Sequence, residues 1–374
     1  MTYRSALLDF PGAAASEGAS LLDAAGVPLH YGDPLGEQRR LAERPGLVDR
    51  SQRTVITVAG PDAPVFLNNL LSQKLDDASP GFAGAALDLD MQGHVLHHAD
   101  MLYDGTTFHL DVPAAQGPSL LDYLRRMIFW SDVTVDEADL AIVTLLGPAG
   151  FAQRIPGALW EREVPWLQGF SRIDVCLPRP ELPAAARAWT DAGGDLTGLL
   201  AYTAQRVRAG EPELRADLDE KSIAHEVPRF ITRGGDAGGA GASAAEGAGA
   251  WPGAVHLHKG CYRGQETVAR VENLGRSPRL LVMLQLDGSS PTEPEPGTVI
   301  TANGRKVGRL GTVIHDADEG PIALALVKRS ALPDTPLDID GTAASVDPAS
   351  LPVFEGEKAG KAAVEKLKRG LGPA

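Results

Sequence analysis

The sequence predicts an α+β protein built from two related halves followed by a small β domain. Three observations carry this. A strand, a Gly-Pro pair and a following helical stretch occur twice, at Gly60-Pro61 and Gly147-Pro148, 87 residues apart. After Arg279 the texture changes to short strands separated by turn residues. The 374 residues also exceed one typical domain, so two or three compact units are expected.

The elements follow in order. Residues 1–50, rich in Gly, Ala and Pro, are read as an N-terminal segment packing on the first half, with one helical piece near Leu35–Leu41. Thr54–Val58 is a strand. In the helix after Gly60-Pro61, the residues Ala63, Phe66, Leu67, Leu70 and Leu71 fall on one face, and Pro64 suits its first turn. Strands at Gly84–Leu89, Val95–Tyr103 and Thr107–Val112 come next, the last two joined by Asp104-Gly105. A helix over Ser119–Trp130 then closes the first half, 51–135. The second half, 136–278, takes a strand at Ala141–Leu146, a helix opening at Phe151–Ile155 and a strand at Ile173–Leu177. Helices follow at Pro183–Ala192 and from Leu196 through Val207. Residues 234–250 form a Gly/Ala-rich run without hydrophobic anchors, the composition of a flexible insertion. Strands at Leu280–Leu286, Thr298–Thr301, Lys306–His315, Ile322–Lys328 and Ala343–Val346, with the hairpin signal Asn303-Gly304, predict a barrel or sandwich over 279–350. The Lys-rich residues 351–374 read as a dispensable tail.

Composition narrows the functional classes. A hydrophobic content of 43% is ample for a core. No run of about 18 apolar residues occurs, so no membrane span is expected. Residues 1–6 lead into no signal-peptide core, and the expected location is the cytoplasm. The net charge of −14 argues against direct nucleic-acid binding. Cys176 and Cys261 lie 85 positions apart, are expected to be free thiols, and cannot supply the four thiolates of an ordinary iron–sulfur cluster. Locally the balance reverses. Between His256 and Arg279, five cations stand against Glu266 and Glu272, a setting for a small anionic ligand.

The segment Lys259-Gly260-Cys261-Tyr262-Arg263-Gly264-Gln265-Glu266 holds the chemistry. Cations flank Cys261 two positions away on each side, an arrangement that favours a thiolate. Its glycines permit tight turns and close ligand approach. His256 and His258 with Cys261 raise a metal site as a minor alternative, because three candidates are one short of a closed tetrahedral set.

This segment, between two α+β halves and a β domain, resembles the YgfZ family of folate-binding proteins, relatives of the aminomethyltransferase (T-protein) of the glycine cleavage system. The resemblance spans about residues 30–335. It includes Gly60-Pro61-Asp62-Ala63-Pro64-Val65-Phe66-Leu67, then Arg206-Val207-x-Ala209-Gly210, Asp217-Leu218 and Ile223-x-His225-Glu226, and Val307-Gly308. It implies an aminomethyltransferase-like folate-binding fold with a C-terminal β-barrel and a tetrahydrofolate, or folate-derivative, pocket between the domains. Cys261 would be the reactive group and Lys259 the neighbour that activates it. Tyr262, Arg263, Gln265, Glu266, Arg270, His97 and Arg206 would contact the folate, with Arg263 and Arg270 suited to its glutamate tail. An Arg270–Glu266 ion pair is the competing use of Arg270.

Two positions depart from the transferase pattern. Arg208 replaces the acid of Arg-x-Glu-x-Gly, and His97 stands where the transferase has Asp. The expected function is therefore a monomeric tetrahydrofolate-binding protein that supports iron–sulfur cluster assembly or repair in client enzymes. A folate-dependent aminomethyltransferase or demethylase acting on a small amine is the alternative. A tRNA-modification factor acting indirectly is a second alternative.

Overall fold

The computed structural model describes residues 3–16, 22–232, 253–290, 293–332 and 335–352. A short 3-10 turn at Ala6–Asp9 precedes helix α1 (Pro34–Arg40) and strand β1 (Gly46–Asp49). The first half runs β2 (Thr54–Ala59), α2 (Ala63–Leu70), β3 (Ala83–Leu89), β4 (Val95–Tyr103), β5 (Thr107–Val112), α3 (Gly117–Arg126) and β6 (Thr134–Ala138). The second half runs β7 (Leu140–Pro148), β8 (Trp160–Val164), β9 (Phe170–Pro178), α4 (Leu182–Asp191) and β10 (Asp195–Thr197). Helices α5 (Leu199–Arg208) and α6 (Leu214–Asp217), the short strands β11 (Ile231–Thr232) and β12 (Val255–His256), and α7 (Gln265–Leu274) complete the body. Last come β13 (Arg279–Leu286), β14 (Val299–Ala302), β15 (Arg305–Asp316), β16 (Gly320–Lys328), β17 (Leu337–Ile339) and β18 (Thr342–Val346).

The first half forms a sheet in the order β3-β4-β5-β2-β6, the second a sheet in the order β10-β1-β7-β9-β8. The halves repeat one plan. In each, the strand that carries or precedes the Gly-Pro pair is hydrogen-bonded antiparallel to the strand that leads into a covering helix, β2 to β5 before α3, and β7 to β9 before α4. The expected α+β fold is the one observed, and the last six strands close as a barrel, β13-β16-β15-β14-β17-β18.

Alternation along the strands sets two kinds of surface. Ile56, Val58, Ala99, Met101, Phe108 and Leu110 of the first sheet pack with Leu67 of α2 and Leu120 and Leu124 of α3. Ala141, Val143, Leu145, Ile173 and Val175 of the second sheet pack with Leu182, Ala186 and Trp189 of α4. The intervening positions include buried polar residues, and ion pairs link the two sheets. Arg162 on β8 reaches Asp111 on β5 at 2.5 Å and Asp174 on β9 at 3.0 Å, all three side chains fully buried. Arg53 pairs with Asp111 at 2.7 Å. Arg172 pairs with Asp174 and Glu211, each at 2.9 Å, and Arg50 adds Asp174 at 3.5 Å. Burial alone would raise the Asp174 pKa, but Arg172, Arg162 and Arg50 hold it well below the carboxylate range. Burial likewise opposes ionisation of Asp111, and Arg162 and Arg53 outweigh it.

The barrel docks through similar links. Arg206 of α5 donates to Thr312 Oγ1 of β15 at 2.6 Å and to Asp217 at 2.8 Å. Arg279 of β13 is held by Asp219 and by Glu226 at 2.7 Å.

Three expectations change. The N-terminal segment packs on the second half, because β1 pairs antiparallel with β7 and parallel with β10, and Leu7 and Leu47 enter the α4-side core. Gly46 permits this approach, since a Cβ there would lie 2.1 Å from Thr197 Oγ1. Residues 151–155 form no helix. The helix over the second sheet is α4 instead, and Phe151 and Ile155 pack against the same core from a non-helical segment. The helix placed at Ser119–Trp130 ends at Arg126, and Phe129 takes a left-handed φ of 38° that no helix accommodates. Residues 234–250 and the tail from 353 lie outside the described residues.

Replacing Arg162 by Met leaves Asp111 and Asp174 buried without their shared cation. The expected cost is about 3–5 kcal/mol in urea unfolding, and a loss below 1 kcal/mol contradicts the bridging role. The sign with pH also follows. Carboxylates with depressed native pKa values stabilise above the unfolded value of about 4, so the wild type should lose stability as pH falls below that value. Arg162→Met should show a shallower decline.

Candidate functional site

The 259–266 segment closes over β3, the edge strand of the first sheet. Its anchors alternate with what it presents. Lys259 Nζ donates to three carbonyls just beyond or within the last turn of α2, those of Asn68 (2.5 Å), Leu71 (2.5 Å) and Gln73 (2.8 Å). Three acceptors at a helix C-terminus make a natural seat for an ammonium. Burial lowers the Lys259 pKa to about 8. Tyr262 is buried in the core formed by Leu87, Leu89, Val268 and Phe230, with the Lys259 ammonium 4.9 Å from its ring centroid. Gly264, at φ +81°, passes so close to the β3–β4 turn that a Cβ would lie 2.7 Å from Asp90 O and 2.9 Å from Leu89 Cβ. Cys261, held between these anchors, is exposed. Cys176 is buried, and burial pushes its thiol up to about 12.

Arg263 begins a chain of polar contacts on the helix-covered face of the sheet. Its Nη2 donates to Asp88 Oδ1 at 2.6 Å, and its guanidinium lies 4.5 Å from the Tyr123 ring centroid. Asp88 Oδ2 is 2.8 Å from His97 Nδ1, and His97 Nε2 is 2.8 Å from Ser119 Oγ. Asp88 and His97 are paired residues on β3 and β4, and Ser119 lies in the first turn of α3. The Ser119 hydroxyl is also 3.1 Å from Gln116 O.

The opposite face of the same strands lines a narrow cleft toward the second half. Its walls include His98, Asp100, Glu211, Arg229 and Phe230, and its interior leaves about 10 Å³ for the centre of a water molecule. His98 and Phe230 lie with ring centroids 5.0 Å apart. Burial lowers the His98 pKa, keeping the imidazole neutral at neutral pH. Glu211 is pushed toward its neutral form by burial, but Arg172, Arg229 and Arg50 hold it ionised.

With this geometry established, similarity to solved proteins is informative. The glycine cleavage system aminomethyltransferase T from Bartonella henselae superposes with a TM-score of 0.70 over 93% of this chain and 98% of that one, at 20% identity. Residues 279–353 match the family model of the CAF17 C-terminal β-barrel domain. The chain has the aminomethyltransferase T fold, completed by a CAF17-type barrel. Aminomethyltransferases of Xylella fastidiosa strain M12 and Stenotrophomonas maltophilia are each 32% identical, over 36% and 35% of this chain. The Pseudomonas syringae pv. tomato aminomethyltransferase is 26% identical over 54%. The chain spans 38%, 37% and 63% of those three relatives respectively.

The fold separates residues that the sequence grouped. Lys259, Tyr262, Arg263 and His97 come together around the β3 edge, and Gln265 Nε2 reaches Lys259 O at 3.4 Å. Glu266 and Arg270 are exposed on α7, and among the described residues they form no ion pair with each other. Arg206 does not join them, because it is buried and its Nη1 and Nη2 groups are taken by Glu211 O, Asp217 and Thr312. His97 does not face the cleft. It shares a strand face with Ala99 and Met101, under the helices, and its neighbour His98 faces the cleft. Arg208 pairs with Asp316 at 3.5 Å and Glu319 at 3.3 Å, fixing α5 to the barrel. His256 and His258 have ring centroids 6.4 Å apart, and among the described residues no His, Cys, Asp or Glu cluster is arranged for a metal ion. No described helix is long and apolar enough to cross a membrane.

Asp88 and Ser119 were not singled out from the sequence. A lone acid between Leu87 and Leu89 was the available signal, since a carboxylate on a buried face requires partners. Ser119 carried no such signal.

Lys259→Met should cost about 1–3 kcal/mol, because three carbonyls lose their shared donor. An unchanged urea midpoint contradicts that anchoring role. Native Lys259 releases its proton near pH 8, whereas the unfolded chain holds it to about 10.4. Its contribution therefore increases with pH across that window, and the gap between wild type and variant should widen from pH 7 to pH 9.5.

Proposed function

We propose that the protein binds a tetrahydrofolate in the cleft between its halves and presents Cys261 as a reactive thiol that supports iron–sulfur cluster assembly or repair in client enzymes. The carrying observation is the mounting of Cys261. Lys259 is held by three carbonyls, Arg263 by Asp88 and Gly264 by close backbone contact, while the thiol between them is exposed. A cysteine with only a packing role would be buried, as Cys176 is. The aminomethyltransferase T fold and the CAF17-type barrel support the folate part of the reading, together with the resemblance of the 259–266 motif to the YgfZ branch.

The cleft has suitable chemistry for a pterin. Asp100 and Glu211 can accept from ring N–H groups, Phe230 and His98 offer flat faces, and Arg229 can meet the anionic tail. A pocket for a ligand of this size measures roughly 300 Å³ or more, so binding requires the walls to part. Bound folate would supply a one-carbon carrier. The chain's own groups would orient it and exclude water.

Aminomethyl transfer is the weaker reading. At the position where the transferase pattern has an acid, Arg208 is engaged by Asp316 and Glu319, and His97 lies on the far side of the sheet from the cleft. The client enzymes are contacted through the exposed thiol face, and any influence on tRNA modification passes through such clients. A cytoplasmic monomer suits this role.

Titration with tetrahydrofolate should show micromolar binding, weakened about tenfold or more by Glu211→Gln and retained by Cys261→Ala. The Cys261→Ala variant should fail to restore iron–sulfur enzyme activity in a deletion strain. Absence of binding at 100 times that concentration would remove the folate assignment (~100 μM, the weak end for a specific small ligand). Full restoration by Cys261→Ala would remove the thiol's role.

A further inference from the structure

Asp88, His97 and Ser119 are arranged as an acid, a base and a nucleophile in line. The carboxylate oxygen Oδ2 lies 2.8 Å from His97 Nδ1, and Nε2 lies 2.8 Å from Ser119 Oγ. Burial is graded in the order that nucleophilic catalysis requires. Asp88 is 1% exposed and His97 9% exposed, while Ser119 is open to solvent. A buried carboxylate holding Nδ1–H leaves Nε2 as an acceptor 2.8 Å from the exposed hydroxyl, closer than the competing acceptor Gln116 O at 3.1 Å. Such a constellation is recognised by geometry and roles rather than by chain order or fold.

The surroundings reinforce this arrangement. Arg263 Nη2 pairs with the second carboxylate oxygen of Asp88 at 2.6 Å, so the acid is fixed from both sides. Arg263 in turn packs on Tyr123, one helical turn beyond Ser119 on the same face of α3. At the start of α3, Gly117 N donates to Pro113 O and Leu120 N to Gln116 O, and Pro118 has no N–H. The Ser119 amide belongs to the first turn, whose donors lack helical acceptors, and it stands beside its own hydroxyl as an oxyanion donor. A histidine placed there only for packing would have no need of a solvent-exposed serine on its outer nitrogen.

We infer that Asp88, His97 and Ser119 form a second reactive site, separate from the interdomain cleft and from Cys261, that cleaves small carboxylic esters through a Ser119 acyl intermediate. Ser119 Oγ bonds to the acyl carbon as its proton passes to His97 Nε2. The bond from carbon to the leaving oxygen breaks, and Nε2 returns that proton to the departing alcohol. Water then attacks the acyl carbon, giving its proton to Nε2. The carboxylic acid departs as Ser119 Oγ recovers the proton. The open position of Ser119 admits short acyl groups without a deep pocket, and no oxidant or cofactor is consumed.

The test uses the full chain with a fluorophosphonate probe and with p-nitrophenyl acetate. The probe should attach to Ser119, found by fragmentation of the tryptic peptide 75–125, which contains no internal Lys or Arg. Acetate release should fall by about 10³-fold, or to background, in Ser119→Ala and His97→Gln. Ser119 is exposed, so Ser119→Ala should keep the wild-type melting temperature. Site-mapped labelling of the unaltered protein gives a result even where His97→Gln is unstable. Labelling at residues other than Ser119, or unchanged turnover in a folded Ser119→Ala, overturns the assignment. Neither readout involves folate or Cys261, so the outcome is independent of the cleft reading.

Discussion

The two halves are joined across a layer of buried charge, and the remaining architecture depends on that layer being satisfied. Arg162 lies between Asp111 of one sheet and Asp174 of the other, with Arg53, Arg172, Arg50 and Glu211 completing the pairing. Charges removed from water are costly unless each finds a partner with good geometry. The two sheets can therefore meet only in a register that matches every acid to an arginine. A small apolar contact of Val55, Ile142 and Cys176 accompanies this layer, while the larger hydrophobic cores lie outside it, beneath α2, α3 and α4, inside the barrel, and between the inner face of the first sheet and the barrel. An ionic layer of this kind contributes less net stability than an apolar one of the same size. It restricts the alternatives, and it lines the cleft with fixed carboxylates and arginines.

The cysteine motif works as a clasp over an unpaired sheet edge. Such edges expose backbone donors and acceptors and are normally covered. Here Lys259 and Arg263 reach to the helix-covered face, and Tyr262 turns to the inner core. One short segment thus touches both faces of the first sheet. Cys261 and the adjoining Gly260 remain exposed at the edge, so the thiol sits on a rigid mount. The cation two residues before Cys261, which the sequence links to thiol activation, is engaged by helix carbonyls.

Strand alternation divides the chemistry between the two faces. His97 and His98 are neighbours in sequence and opposite in space. His98 turns inward to Asp100, Glu211 and Phe230, and His97 turns outward to Asp88 and Ser119. Short apolar runs bounded by turn residues such as Asp104-Gly105 and Asn303-Gly304 made β2, β4, β5 and most of the barrel strands readable. That signal left β6 and β8 unread, since Thr134–Ala138 and Trp160–Val164 are short and charged and take their structure from β2 and β9.

By itself the sequence determined the paired α+β halves and the small β domain that follows Arg279, and it marked out the Lys259–Glu266 segment by its unusual composition. Periodicity, turn residues and an unusual motif are local properties, and they survive in the order of residues. Tertiary structure alone decided that β1 joins the second sheet, that Arg206 and Arg208 bind the barrel, that Lys259 caps α2, and that Asp88 and Ser119 stand on either side of His97. Those outcomes depend on partners far apart in the chain, such as Lys259 with Asn68 or Arg162 with Asp111. A pairing of that kind is settled by which buried polar groups can be satisfied together, and no window of sequence contains both halves of the answer.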